Sequence, residues 1–182
     1  MNRQIILVTG PARSGKSEWA ETLAARSRKS VIYIATAVVN PTDTEWQTRI
    51  ETHKNRRPLS WKTLDVPVDL AEAIALANES SCLLVDSLGT WLANILELDE
   101  IAWRQTIENL LGTLQQSGAD VIFVAEETGW GVVPAYPVGR LFRDRLGILT
   151  RELGEIANPV YLITSGHVLN LSLLGTPLPR KS

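Results

Sequence analysis

The sequence predicts an α/β domain, a doubly wound, mainly parallel sheet flanked by helices, on three observations. Short runs at 5–9, 31–35, 82–85, 121–125 and 160–164 are almost wholly β-branched or apolar, the pattern of strands buried on both faces. Amphipathic or Ala-rich segments of helical length alternate with them, which implies parallel strands joined by short right-handed crossovers. With 182 residues, 45% of them hydrophobic and 21% charged, the chain can bury a sizeable core without disulfides or a structural metal.

The elements follow in order. The first strand ends at Gly10, and over 17–28 Ala20, Leu23, Ala24 and Ser27 share one helical face while Glu18, Glu21 and Arg26 point away. After the second strand, Thr42-Asp43-Thr44-Glu45 follows Pro41 as a capping box and opens a helix to about residue 54, with Trp46, Ile50 and His53 on one face. Pro58 stops that helix, and Pro67 separates an extended piece at 61–64 from an Ala-rich helix at 68–77. The strand at 82–85 ends at Asp86. Helices at 88–96 and 101–114, the strand at 121–125, a helix at 139–157 and the strand at 160–164 complete the alternation before a tail containing Gly and Pro. No repeat or linker interrupts the chain, so residues 1–182 are expected to form a single domain.

Charge narrows the partners. Eighteen Lys and Arg against twenty Asp and Glu give a net charge of −2, which disfavours nonspecific capture of nucleic acid or of an anionic membrane. Cys82, the one cysteine, lies in an apolar run, so neither an intrachain disulfide nor a cysteine metal cluster is available. The apolar stretch at 5–8 is too short for a signal segment and no 18-residue apolar run follows, so a cytoplasmic chain without membrane insertion is expected.

The strongest chemical signal is Gly10-Pro11-Ala12-Arg13-Ser14-Gly15-Lys16-Ser17, which fits G-x-x-x-x-G-K-[ST] between a strand and a helix. At average composition that pattern arises by chance in about 1% of chains this long. Its glycines let backbone N–H groups curl around phosphates, and the helix beginning near Ser17 adds partial positive charge. Lys16 is placed to reach the β- and γ-phosphates of a nucleotide and Ser17 to hold Mg²⁺. Such a site calls for a second acid near the metal, and Asp86 stands at the carboxyl end of a strand, where open parallel sheets bind their ligands. Asp86 would also cap the helix that follows it, and the two roles can coexist.

The two histidines differ in company. His53 lies among Arg49, Lys54, Asn55, Arg56 and Arg57, whose cations favour a neutral, nucleophilic imidazole and attract phosphate. The same run also reads as a solvated helix end whose cations complement the helix dipole, and composition alone favours that reading. His167, within Ser165-Gly166-His167-Val168, has no such neighbours and is expected to be structural or exposed.

Taken together, these motifs resemble a known family. The phosphate loop with Arg13, Tyr33-Ile34-Ala35-Thr36-Ala37, and Arg49-Ile50 with His53, Arg57-Pro58 and Trp61 are similar to the bifunctional adenosylcobinamide kinase/adenosylcobinamide-phosphate guanylyltransferases. Leu84-Val85-Asp86-Ser87-Leu88 with Trp91, Leu92 and Asn94 keeps the family's order. So do Glu127-Thr128-Gly129-Trp130-Gly131-Val132-Val133-Pro134, Arg140, Phe142-Arg143-Asp144 and Gly147, and the match spans roughly 5–166. The resemblance implies a P-loop NTPase-type fold and two reactions. The γ-phosphate of ATP or GTP goes to the hydroxyl of adenosylcobinamide; then a histidine takes GMP from GTP and passes it to the cobinamide phosphate, giving adenosylcobinamide-GDP. By carry-over that histidine is His53, against the composition-only reading. The resemblance further implies nucleotide contacts at Ala35, Thr36, Ala37, Lys54, Asn55, Arg56, Arg57, Asp65 and Asp86, and a homo-oligomer, a trimer in the family.

This sequence departs from the family at several points. Asp65 stands where Glu is usual, which shortens its reach. Glu126 replaces an Asn and Thr150-Arg151 replaces Asn-Gln, changes that bear on the kinase acceptor pocket; Glu126 also reads as an exposed loop residue. Among the six tryptophans Trp130, between two glycines, is the one expected to be exposed and to touch substrate or a neighbouring subunit. The competing functions are a small-molecule kinase without guanylyl transfer, with His53 structural, and a nucleotide-gated regulatory switch.

Overall fold

The computed structural model describes residues 3–38, 48, 51, 54 and 57–178. Its seven strands are β1 (Ile5–Gly10), β2 (Ser30–Ala35), β3 (Lys62–Asp65), β4 (Ser81–Asp86), β5 (Asp120–Glu126), β6 (Val160–Thr164) and β7 (His167–Asn170). They form one sheet in the order β3-β2-β4-β5-β1-β6-β7, parallel throughout except for the antiparallel β6–β7 pair. Six helices are bounded within the described residues: α1 (Lys16–Arg26), α2 (Leu70–Ala75), α3 (Leu88–Asn94), α4 (Glu100–Gln116), α5 (Pro137–Gly154) and α6 (Leu171–Leu174). Thr48, Glu51 and Lys54 are also helical. The capping box at 42–45, together with Trp46, Arg49, Ile50, His53, Asn55 and Arg56, lies outside the described residues.

Strand side chains alternate between the two faces, and each face has its own core. Leu7, Ile34, Leu83, Val85, Val121 and Phe123 turn to the side covered by α2, α3, α4 and α5. Their neighbours Ile6, Val8, Tyr33, Cys82, Leu84 and Ile122 turn to the side covered by Ala20 and Ala24 of α1. Continuous apolar runs were the right sign of this doubly covered sheet. Burial also pushes the Cys82 thiol up to about 11, which leaves it protonated and inert at neutral pH.

Three expectations needed correction. The Ala-rich helix is shorter than 68–77, because Val68 and Asp69 remain outside its first turn and Asn78, whose side-chain oxygen accepts from Ser80 and Ser81, ends the segment. The piece expected to be merely extended at 61–64 is strand β3, added in parallel to the edge of β2. The tail is also structured: Ser165 (φ 50°) and Gly166 (φ 75°) form a two-residue turn with both φ positive, and the chain returns as β7 before the short α6.

The five strand ends matter most for function. Gly10, Ala35, Asp65, Asp86 and Glu126 are each the last residue of a parallel strand. Register pairs Gly10 with Glu126, and Ala35 with both Asp65 and Asp86. The carboxyl edge of the sheet therefore collects the residues singled out from the sequence.

Candidate active site

The phosphate loop begins where β1 must pass close beneath a neighbouring strand. A Cβ on Gly10 would strike the Ile163 carbonyl oxygen and the Ser14 hydroxyl, so only glycine fits there. Arg13 (φ 59°) and Gly15 (φ 92°) turn the backbone through left-handed conformations, and Gly15 leads into α1. The Ser14 N–H donates to Pro11 O at 3.3 Å, and Lys16 Nζ donates to the same carbonyl at 3.4 Å, which keeps the ammonium over the loop. The Glu127 N–H, donating to Gly10 O at 3.0 Å, ties the chain leaving β5 to the loop's first residue. Ser14 Oγ is buried without a hydrogen-bond partner among the described residues, in a loop whose chemistry is to bind phosphate oxygens.

Asp86 sits beside this loop. Ser17 Oγ donates to its Oδ1 at 3.4 Å and Tyr33 Oη to its Oδ2 at 2.8 Å. Burial first, and the neighbouring Asp86 charge second, push the Tyr33 phenol far above its ordinary range, so Tyr33 donates this hydrogen bond throughout the physiological pH range. The helix cap proves to be Ser87, whose Oγ accepts from the Thr90 N–H, which corrects the capping alternative for Asp86. Ser17 and Asp86 supply a hydroxyl and a carboxylate oxygen side by side, hard donors that suit Mg²⁺. Among the described residues no group of three or more His, Cys, Asp and Glu is placed to hold a metal, and one carboxylate with a hydroxyl is the set an Mg²⁺–nucleotide site uses.

A cavity of about 500 Å³ opens next to Asp86, walled by Tyr33, Ala35, Ala37, Arg57, Glu126 and Phe142 among others. The Arg57 guanidinium lies on the Tyr33 ring, 3.4 Å from its centroid, and Arg57 Nη1 donates to Thr63 Oγ1 at 3.4 Å. A partly exposed stack of this kind contributes about 1 kcal/mol. Glu126 is no exposed loop residue: it is half-buried, and its Oε2 accepts from the Gly89 N–H at 3.0 Å. A Cβ on Gly89 would meet that carboxylate and push the Glu126 side chain aside.

The remaining sequence candidates divide. Ala35 and Ala37 line the cavity, whereas the Thr36 side chain is fully buried, donating to Ser87 O at 2.8 Å and accepting from the Ser87 N–H at 3.0 Å. Asn94 Nδ2 donates to Thr36 O and Pro67 O, so this segment is clamped from below. Asp65 is exposed at the end of β3, two strands from Asp86 and outside the cavity lining. Lys54, Ala12 and Arg13 are exposed, and Pro11 is half-buried in the loop. His53, Asn55 and Arg56 lie outside the described residues. His167 is exposed, with Nδ1 at 2.8 Å from Ser165 O, and Trp130 is 64% exposed. Sequence reasoning missed Tyr33 and Phe142 as cavity walls and Asn94 as a clamp; the available signal was a tyrosine in an otherwise aliphatic buried strand, which needs a hydrogen-bond partner.

A phosphate loop at the carboxyl edge of a mainly parallel sheet, with a strand-end aspartate beside its serine, defines a P-loop nucleotide-binding protein. Solved structures agree on that fold. A Pyrococcus horikoshii OT3 protein from project PH0250 superposes with TM-score 0.57 at 9% identity, covering 93% of this chain and 85% of its own. An ATPase of a type III secretion system superposes with TM-score 0.54 at 12% identity, covering 94% and 53%. The family model described as cobinamide kinase / cobinamide phosphate guanyltransferase matches residues 6–171, and the chain belongs to that family. The bifunctional adenosylcobalamin biosynthesis protein CobP of Pseudomonas aeruginosa is 41% identical over 177 residues, 94% of this chain and 98% of its own. The bifunctional protein CobU of Escherichia coli K12 is 37% identical, covering 89% and 96%.

Ser14→Ala separates binding from folding. Because the hydroxyl has no partner among the described residues, its removal is expected to leave urea-unfolding stability unchanged within about 0.5 kcal/mol. Affinity for a nucleoside triphosphate, measured by titration calorimetry, is expected to fall several-fold; unchanged affinity would refute the role given to this hydroxyl.

Proposed function

We propose that the chain phosphorylates adenosylcobinamide with ATP or GTP and then converts the product to adenosylcobinamide-GDP through a GMP adduct on His53. The observation that carries the nucleotide site is the convergence of Lys16, Ser17 and Asp86 at the end of β1 and β4. In the first half-reaction the acceptor hydroxyl oxygen forms a bond to the γ-phosphorus as the bond to the bridging oxygen breaks; the hydroxyl gives its proton to solvent and the nucleoside diphosphate leaves. The loop amides and Lys16 hold the β- and γ-phosphates. Mg²⁺, when bound at Ser17 and Asp86, neutralises charge that develops on the phosphate oxygens.

In the second half-reaction an imidazole nitrogen of His53 attacks the α-phosphorus of GTP and pyrophosphate leaves. A phosphate oxygen of cobinamide phosphate then attacks the same phosphorus, frees the histidine and forms the diphosphate. Two displacements replace one difficult encounter between polyanions. Family membership supports this reading, and so does the cavity beside Asp86, whose mixed apolar and charged walls suit an alcohol or phosphate carried on a large organic group.

The same reading extends to assembly and compartment. Trp130, Val132, Val133 and Tyr136 between β5 and α5, and Val138 in the first turn of α5, are exposed in succession, and a homotrimer covers such a surface. Among the described residues no helix is long and apolar enough to cross a membrane, in keeping with a cytoplasmic enzyme.

Incubation with α-³²P GTP and Mg²⁺ tests the histidine. Acid-labile, base-stable label on the wild-type chain and none on His53→Ala is the expected result, with γ-phosphate transfer to cobinamide retained. Label that persists in His53→Ala would contradict the assignment, and absence of label on the wild type would leave the kinase alone. Light scattering is expected to return three times the chain mass, and a monomer at micromolar concentration would overturn the trimer.

A further inference from the structure

Tyr33 stands in β2 two residues before its carboxyl end and is 2% exposed. One end of this side chain fixes an anion and its face fixes a cation. The hydroxyl donates to Asp86 Oδ2 at 2.8 Å, while the other oxygen of that carboxylate meets Ser17 Oγ at 3.4 Å. The ring carries the Arg57 guanidinium at 3.4 Å. Among the described residues the other side-chain bond of Arg57 is a long one to Thr63 Oγ1, and its Nε is buried with no partner there. Among the described residues the tyrosine is thus the principal support for a guanidinium that lines the cavity.

We propose that Tyr33 is a positioning residue for both half-reactions, its hydroxyl aligning Asp86 with Ser17 and its ring holding Arg57 against the nucleotide. A carboxylate with one oxygen tied to a buried phenol is restrained from rotating, so its other oxygen stays turned to the Ser17 hydroxyl, where the two would hold Mg²⁺. An arginine stacked on an aromatic face keeps its N–H groups in one plane and free to meet phosphate or base. Linking these groups through one side chain makes the geometry of the phosphate loop and that of the cationic segment depend on each other. The identity of the reactions rests on the two-step reading above; the two contacts and their effect on nucleotide binding do not.

Two variants divide the roles. Tyr33→Phe keeps volume and ring but loses the hydroxyl, whereas Tyr33→Leu also loses the stack. Affinity for a fluorescent GDP analogue, titrated with and without Mg²⁺, gives a readout independent of turnover. For Tyr33→Phe the affinity without Mg²⁺ is expected to match wild type, while the tightening produced by Mg²⁺ falls about tenfold and excess Mg²⁺ restores kcat. For Tyr33→Leu the affinity without Mg²⁺ is expected to fall about tenfold, and excess Mg²⁺ does not restore self-labelling by GTP. A Tyr33→Phe chain indistinguishable from wild type in Mg²⁺ dependence would reduce the residue to core filling and overturn the proposal. So would a Tyr33→Leu chain whose Mg²⁺-free affinity is unchanged. If wild type binds the analogue normally but forms no GMP adduct, the two-step reading fails and the positioning role of Tyr33 stands or falls on the binding data alone.

Discussion

The site depends on one carboxylate held from two directions. Asp86 ends a strand in the middle of the sheet, and its oxygens are claimed by a hydroxyl from the phosphate loop and a phenol from the adjacent strand. Ser17 can reach it only because Gly10 lets β1 turn beneath Ile163, and Tyr33 can reach it only because β2 and β4 pair in register from Ser30 with Ser81 to Ala35 with Asp86. Core packing on both faces fixes those registers, since a one-residue slip would turn every buried side chain to the wrong face. Sheet topology and site chemistry are therefore one constraint.

The polar framework beneath the site serves the same end. Thr36 and Ser87 exchange two hydrogen bonds, Asn94 ties the Thr36 and Pro67 carbonyls, and Glu126 takes the Gly89 amide. Each is a buried or half-buried polar group with a specific partner, so displacing any of them leaves desolvated donors or acceptors at a cost of about 1–3 kcal/mol. These bonds hold the backbone of Thr36, Pro67, Ser87 and Gly89 around the cavity. Glu126, a departure from the family pattern, is absorbed into this framework through the space that Gly89 leaves for it.

Where sequence reasoning succeeded, local chemistry and global fold demanded the same residues. The run 5–9 followed by Gly10 to Ser17 specifies strand, turn and helix at once, and the end of the strand at Asp86 was legible because a charge closes an aliphatic run there. It failed where a role depends on a distant partner. Asp86 also read as the cap of the helix that follows it; the structure gives that role to Ser87, and the register of β2 with β4 sets Asp86 beside Tyr33. Strand β7 was too short for periodicity, although Ser165-Gly166 carried the turn. Thr36 could not be distinguished from Ala35 and Ala37 by resemblance, because nothing local says that its hydroxyl points inward to Ser87.

The net charge of −2 hides a local inversion: Arg13 and Lys16 in the phosphate loop and Arg57 on Tyr33 belong to two segments that, on the proposed reading, serve one triphosphate. That single shared site is the central claim, and competition tests it directly. A non-hydrolysable ATP analogue should inhibit labelling of the chain by GTP competitively, with an inhibition constant equal to its own dissociation constant. Labelling that proceeds at full rate while the analogue saturates the phosphate loop would contradict it.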